Sequence, residues 1–420
     1  MSILIQGVGL NGERKDIWIR GNRIQRIADR IEEKAEIVIS GRDKIAIPPF
    51  INGHTHAAMT LLRGYADDMP LQEWLLTKIW PVEAHLTEED VYWGVKLACL
   101  EMIKTGTTFF NDMYWHWRGA ARAVAEMGIR AALSAVFIDT FNEEKMKEQI
   151  ALNERLFAES LEYNPRVIFT LGPHALYTVS EKALRWSAEF AREKDILIHF
   201  HLSETREEVQ ECVKEHGVRP VEYLERLGFL SPNLIACHCI WLHEEEMDLL
   251  QAHGVKVVHT PVSNMKLSVG GVFPYVQLRE RGLVISLGTD GCASNNNLDM
   301  LETAKFASLL QKFHTHNPVV QKAREAFEML TIEGARAFRL DCGVIAEGKW
   351  ADIALVDLNQ PQMVPHFNTE SDLIYSANGS CIDTLICDGK VLMQNRRVEG
   401  EEEIIARARE VAFDLVRRAS

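Results

Sequence analysis

Basic residues are in the minority: 46 Lys and Arg face 60 Asp and Glu, a formal net charge of −14. A nucleic-acid backbone calls for a basic face, so this deficit argues against a DNA or RNA binder. Long apolar runs are missing as well. None approaches the ~20 residues that span a bilayer, and no membrane partner is expected. The opening MSILIQGVGLNGERKD turns polar too soon for a secretory signal. Cysteine is sparse, eight in 420 residues, and no CxxC pair occurs. A disulfide scaffold and a zinc-finger module are both disfavoured on that count. Low-complexity tracts, solenoid repeats and Pro/Ser-rich linkers are absent too. What remains is an ordinary globular balance, 47% apolar and 25% charged, with length enough for a large core and more than one domain. The expectation is a soluble cytoplasmic enzyme.

The two ends share one style. ILIQGVGL, DIWIRG and RIQRIA read as short strands around the turn pairs Asn11-Gly12 and Gly21-Asn22. ADIALVDL, TLICDG and KVLMQ repeat that style late in the chain, before a charged helix, EEEIIARAREVAFDLVRRA. Residues 1–48 and 345–420 are therefore expected to form one small β-sandwich domain with a C-terminal helix. The middle, residues 49–344, has another rhythm. KIAIPPFING, TTFFND, RAALSAVFID, RVIFTLG, ILIHFHLSE, LIACHC, VKVVHT and LVISLGTDG alternate with amphipathic stretches. Two of those stretches open on helix caps, at Thr87 with Asp90 and at Ser180. Eight apolar strands alternating with helices predict an α/β fold, a parallel (β/α)8 TIM-like barrel.

The polar residues fall where such a barrel puts chemistry. His54 and His56 end the first run, His201 and Glu204 the fifth, His238 the sixth and Asp290 the eighth. Strand ends of this polarity converge on one rim. Residues two apart on a strand share a face, so His54 and His56 can aim at one ion. A third imidazole and a carboxylate would complete a set of zinc ligands. His199 shares the face of His201 and competes with it; His201 is preferred because it lies nearer the strand end and heads a His-x-x-Glu segment. Each residue also has a plainer reading. An isolated HxH serves equally as a structural pair, Glu204 as a solvated helix-start carboxylate, and Asp290 as a cap between Gly288 and Gly291. His238 reads equally as a core histidine, and His243 as a surface residue. Cys237 and Cys239 flank His238, so a strand turns both away from it and makes them small core residues.

PPFINGHTHAAMTLLRG, HLSET, ACHCIWL and LGTDGCASNNNLDM together resemble the amidohydrolase superfamily. More narrowly they are similar to its 5′-methylthioadenosine/S-adenosylhomocysteine deaminase branch, beside the 5′-deoxyadenosine deaminases. The likeness runs nearly end to end and takes in DIWIRGNRIQRIA and GVIAEGKWADIALVDL. It implies one divalent metal per chain, usually zinc, held by His54, His56, His201 and Asp290. It implies catalysis by Glu204, His238 and Asp290, and a nucleoside contacted by Glu83, His174, Glu204 and Asp290. Its activity would be hydrolytic deamination of an adenosine-type nucleoside to the inosine analogue and ammonia. The oligomeric state is left open, a homo-oligomer included.

Members that handle S-adenosylhomocysteine can carry an arginine after the Gly-Ile-Arg segment, to pair with the amino-acid carboxylate. Here GIRAALSAVFIDT follows with small and apolar residues, and Lys145 and Lys147 read as a solvated helix face. A neutral 5′ tail fits better. The aromatic run Met113 to Trp117 serves equally as a lid over the base or as packing. The rival on the same scaffold is a hydrolase of a free base or other N-heterocycle such as guanine, a pterin or an s-triazine. Glu83 discriminates, because a ribose contact is useless to a free base. A non-catalytic metal-bound regulator is the remaining alternative, and the presence of Glu204 and Asp290 counts against it. A cytidine-deaminase type of zinc site is excluded, since its Pro-Cys-x-x-Cys motif is missing.

Overall fold

The computed structural model describes residues 1–419. The chain opens with β1 (Ser2–Leu10), β2 (Glu13–Arg20), β3 (Arg23–Ala28), β4 (Ile37–Ser40) and β5 (Lys44–Ile47). Asn11 and Gly12 both take positive φ, at 51° and 83°, which suits the tight hairpin between β1 and β2. The central strands are β6 (Phe50–Thr55), β7 (Thr107–Tyr114), β8 (Arg130–Phe137), β9 (Val167–Pro173), β10 (Ile198–Leu202), β11 (Leu234–His238), β12 (Lys256–His259) and β13 (Ile285–Leu287). The chain then adds β14 (Ile353–Asp357), β15 (Ile382–Cys387) and β16 (Lys390–Met393), and a last helix, Glu401–Ala419.

The eight central strands form one parallel sheet in the order in which they occur along the chain, from β6 to β13. Each corresponds to one of the eight apolar runs, so the expected TIM-like barrel is present. One run is divided: KIAI belongs to β5, and the barrel strand starts only at Phe50, after Pro48-Pro49. Neither proline can donate to a ladder, so the chain leaves one sheet and enters the other there. The barrel is nearly closed. β6 and β13 share no ladder, yet Asp290 N–H donates to the His54 carbonyl at 2.9 Å and Thr289 N–H to Asn52 Oδ1 at 3.0 Å. Gly288 makes that approach possible, since a Cβ there would sit 2.7 Å from the His54 nitrogen. The two helix caps read from the sequence are also made. Thr87 Oγ1 accepts from Asp90 N–H ahead of the helix Glu88–Thr105, and Ser180 accepts from Ala183 N–H ahead of Glu181–Lys194.

The terminal strands form a separate mixed sheet, ordered β16-β15-β14-β5-β1-β2-β3, with β4 beside β1. It has its own aliphatic core of Ile3, Ile5, Val8, Ile17, Ile19, Ile24, Ile39, Leu355 and Ile386. It meets the lower end of the barrel through charge. Arg130, 2% exposed, reaches Asp352 and Asp388 at 3.5 Å, stacks on Trp350 at 3.9 Å, and shares Asp388 with Arg166. Among the described residues no helix is long and apolar enough to cross a membrane.

Candidate active site

At the C-terminal ends of the barrel strands the polar residues converge. His54 is the penultimate residue of β6 and His56 directly follows the strand, two positions on and aimed the same way, with ring centroids 4.9 Å apart. His201, near the end of β10, lies 4.9 Å from the His54 ring and 5.4 Å from that of His56. Asp290, just past β13, places Oδ1 3.4 Å from Nε2 of both His54 and His56. The ligand atoms of His54, His56 and His201 lie within 4.8 Å of one another, as do those of His54, His238 and Asp290. Nε2 of His54 and of His238 are buried without a hydrogen-bond partner. A buried imidazole nitrogen left bare is costly unless something fills its lone pair, and a divalent cation fits this donor set of three imidazoles and a carboxylate.

His238 ends β11 with φ of 70°, and Cys239 follows at 51°. This left-handed turn breaks the strand alternation and swings the His238 ring into the lumen, 3.6 Å from Glu204 Oε1. The expectation for Cys237 is corrected by the same turn. Both cysteines are buried and unpaired, but Cys237 does not point away from the site: its sulfur lies close to His54 and His199 nitrogens. His199 sits below His201, with Nε2 2.6 Å from His54 Nδ1. His243 is exposed.

Burial acts against every charge here, and the partners decide the outcome. Burial lowers the His54 pKa to about 4. Burial would lift Asp290, but the His54 contact and the surrounding imidazoles hold it well below the ordinary carboxylate range. Burial would lower His238 too, yet Glu204 and Asp290 keep it above its usual value. Glu204 is raised, chiefly by burial, and so retains a proton more readily than a surface glutamate.

His56, Glu83, His174, His201, Glu204, His238 and Asp290 line one cavity above this cluster, and His54 is fully buried beneath its floor. Glu83 enters from the short helix Trp80–Glu83, and its carboxylate accepts from Tyr114 Oη at 2.7 Å and Trp115 Nε1 at 3.3 Å. Burial raises its pKa. His174 follows β9, with Nδ1 2.9 Å from Thr178 Oγ1. The aromatic run divides between both readings: Met113, Tyr114 and Trp115 line the cavity, whereas Trp117 is packed away with its indole N–H on the Leu133 carbonyl. The outer wall is apolar, built by Met59, Leu71, Trp74, Leu75, Trp80, Val136, Ile138 and Leu267. Among the described residues no lysine or arginine lines it. Lys147 instead pairs with Glu143 and Glu144 on an exposed helix face.

Several supporting residues escaped the sequence reading. Asn264 Oδ1 and Thr260 Oγ1 each lie 2.9 Å from His238 Nδ1. Ser263 Oγ donates to Asp290 Oδ2 at 2.7 Å. Glu208 accepts the backbone N–H groups of Ser203 and Glu204, both at 2.8 Å, and burial pushes its pKa up to about 7. Asp112 accepts Thr55 Oγ1 and the Ala57 N–H, bracing the turn that carries both histidines of the HxH. Asp112 had one available signal, as the carboxylate that closes the apolar run TTFFND, and Glu208 had one as the fourth residue of a Thr-x-x-Glu helix start at Thr205.

Three comparisons bear on this site. The profile of the Amidohydrolase family matches residues 45–392. The chain is 49% identical to a 5′-deoxyadenosine deaminase of Methanospirillum hungatei JF-1 over all of its length and 95% of the relative's. It is equally identical, at 95% coverage of both chains, to a 5-methylthioadenosine/S-adenosylhomocysteine deaminase of Archaeoglobus fulgidus. Among solved structures, an adenosine deaminase from Xanthomonas campestris with bound zinc superposes with a TM-score of 0.93 at 32% identity, covering 99% of this chain and 98% of that one.

Proposed function

The chain belongs to the amidohydrolase family, and from that membership we propose that it removes the 6-amino group of an adenosine-type nucleoside by hydrolysis, yielding the inosine analogue and ammonia. The observation that carries this reading is the single cavity joining the His/Asp cluster, the buried Glu204 and the ribose-side Glu83. His54, His56, His201 and Asp290 would hold one divalent ion per chain, with zinc the best match to the donors. When bound, such an ion supplies Lewis acidity that brings the pKa of a water toward neutrality. Asp290, held anionic by its neighbours, takes a proton from the attacking water and passes it to the 6-amino group, which then leaves as ammonia when the tetrahedral carbon collapses. Glu204, whose proton is retained by burial, delivers it to purine N1 and makes C6 electrophilic. His238, braced by Asn264 and Thr260, orients the attacking water and stabilises charge as the tetrahedral carbon forms. Glu83, fixed by Tyr114 and Trp115, keeps lone pairs for the ribose hydroxyls, and His174 contacts the nucleoside from β9.

The apolar, cation-free outer wall supports a neutral 5′ tail over an amino-acid tail. The test is a deamination panel of adenosine, 5′-deoxyadenosine, 5′-methylthioadenosine, S-adenosylhomocysteine, 2′-deoxyadenosine, adenine and guanine, read by ultraviolet absorbance. We expect 5′-deoxyadenosine or 5′-methylthioadenosine to lead and S-adenosylhomocysteine to trail. The 2′-deoxy substrate should lose roughly 1–3 kcal/mol in kcat/KM, the cost of an unmet hydrogen bond at a buried carboxylate. Glu83→Ala should erase that discrimination. Turnover of free adenine or guanine without ribonucleoside activity would overturn the nucleoside reading.

A further inference from the structure

Nδ1 decides where an imidazole aims its Nε2, and the three histidines of the cluster are not held alike. His56 Nδ1 bonds the Met113 carbonyl at 2.7 Å and His201 Nδ1 the His174 carbonyl at 2.8 Å. A carbonyl only accepts, so both rings carry their proton on Nδ1 and present Nε2 as a bare lone pair. His54 has no carbonyl. Its Nδ1 meets another imidazole, His199 Nε2, at 2.6 Å. His199 is 1% exposed and absent from the cavity wall, so it touches no substrate.

We infer that His199 is a positioning residue, an imidazole acceptor for His54 Nδ1–H that fixes the tautomer and aim of His54. The inference rests on the reading of His54 as a metal ligand. An imidazole differs from a carbonyl in that its nitrogen can also donate. The shared proton therefore has two seats, and only the seat on His54 frees Nε2 toward Asp290. Without His199, a buried Nδ1–H would have no acceptor, and the opposite tautomer would block the site with a proton. A different use of the same atoms is a second cation held by His54, His199 and Cys237, whose ligand atoms also cluster. The 2.6 Å nitrogen–nitrogen distance speaks against it. Two nitrogens about 2.0–2.1 Å from a tetrahedral zinc stand about 3.3 Å apart.

Zinc affinity by chelator competition, with the visible spectrum of the cobalt-substituted protein, tests this. His199→Leu removes the acceptor and should weaken zinc binding ~10–100-fold, the usual effect of losing such a support. It should also shift the cobalt bands while leaving metal-free thermal unfolding unchanged. His199→Gln puts an amide oxygen where Nε2 stood and should recover most of the affinity. His199→Asn, polar but too short to reach His54, should behave like the leucine variant and covers the case in which leucine fails to fold. Wild-type affinity in the Leu and Asn variants, alongside metal loss in His201→Ala, would overturn the inference and spare the metal site. Two zinc ions per wild-type chain, one lost in Cys237→Ser, would also overturn it in favour of the second-cation arrangement. A wild-type chain that binds no zinc would bring down the metal reading itself, and this inference with it.

Discussion

In the proposed reaction Glu204 would carry the heaviest demand of any single side chain, holding a proton at neutral pH and still giving it up. Its backbone N–H is clamped by Glu208, its carboxyl is buried, and His238 stands 3.6 Å away. Burial raises its pKa, and the charge of His238 opposes that rise. Glu204→Gln keeps the shape and removes the proton, so metal content should be unchanged while kcat falls ~10²–10⁴-fold. Near-normal turnover on 5′-deoxyadenosine would reduce Glu204 to a helix-start carboxylate. This residue was readable because it ends an apolar run beside a histidine. Asn264, Thr260 and Ser263 were not, since their roles exist only as hydrogen bonds to residues on other elements; Glu208, whose bonds to Ser203 and Glu204 are local, is hidden instead by its place in a run of charged residues at a helix start. Cys237 is the small core residue expected, but its direction was misread for a local reason: strand alternation was carried one residue too far, into the left-handed turn at His238.

At the scale of elements, all eight barrel strands were legible, because parallel strands buried on both faces leave short apolar runs bounded by turn residues. Their limits were less so. The first run appeared continuous through Pro48-Pro49, where the chain in fact changes sheets. The nearly closed seam was beyond sequence patterning altogether, since it depends on how closely Gly288 lets β13 approach β6. Gly288→Ala should be among the most damaging small substitutions. Its Cβ would press on the His54 backbone at 2.7 Å and push Asp290 away from the histidines. We expect circular dichroism to remain native-like while zinc occupancy and deamination are lost together. A fully loaded, active Gly288→Ala protein would show that the seam tolerates widening.

Across the whole molecule, the proposed site would couple stability to a bound ion. Four imidazoles and two carboxylates converge around one point, and a ligand that binds only the folded chain stabilises it by mass action. Chelation should abolish deamination and lower Tm, and returned zinc should restore both. At about 100 times Kd the ion is worth about 2.7 kcal/mol. A Tm that ignores zinc concentration would contradict this coupling. The seam has a further meaning when the chain is considered as something made in time. Asn52 and Thr289, which tie its two sides, are 237 positions apart. At the ~5–20 residues per second of protein synthesis, the first half of the seam waits roughly 10–50 s for the second. Until then β6 offers a raw edge, and its histidines lack the carboxylate that completes their set. A complete set of ligands therefore requires synthesis past Asp290, with 130 residues still to follow, and a ribosome that stalls before Thr289 would leave an open, sticky half-barrel for chaperones to shield.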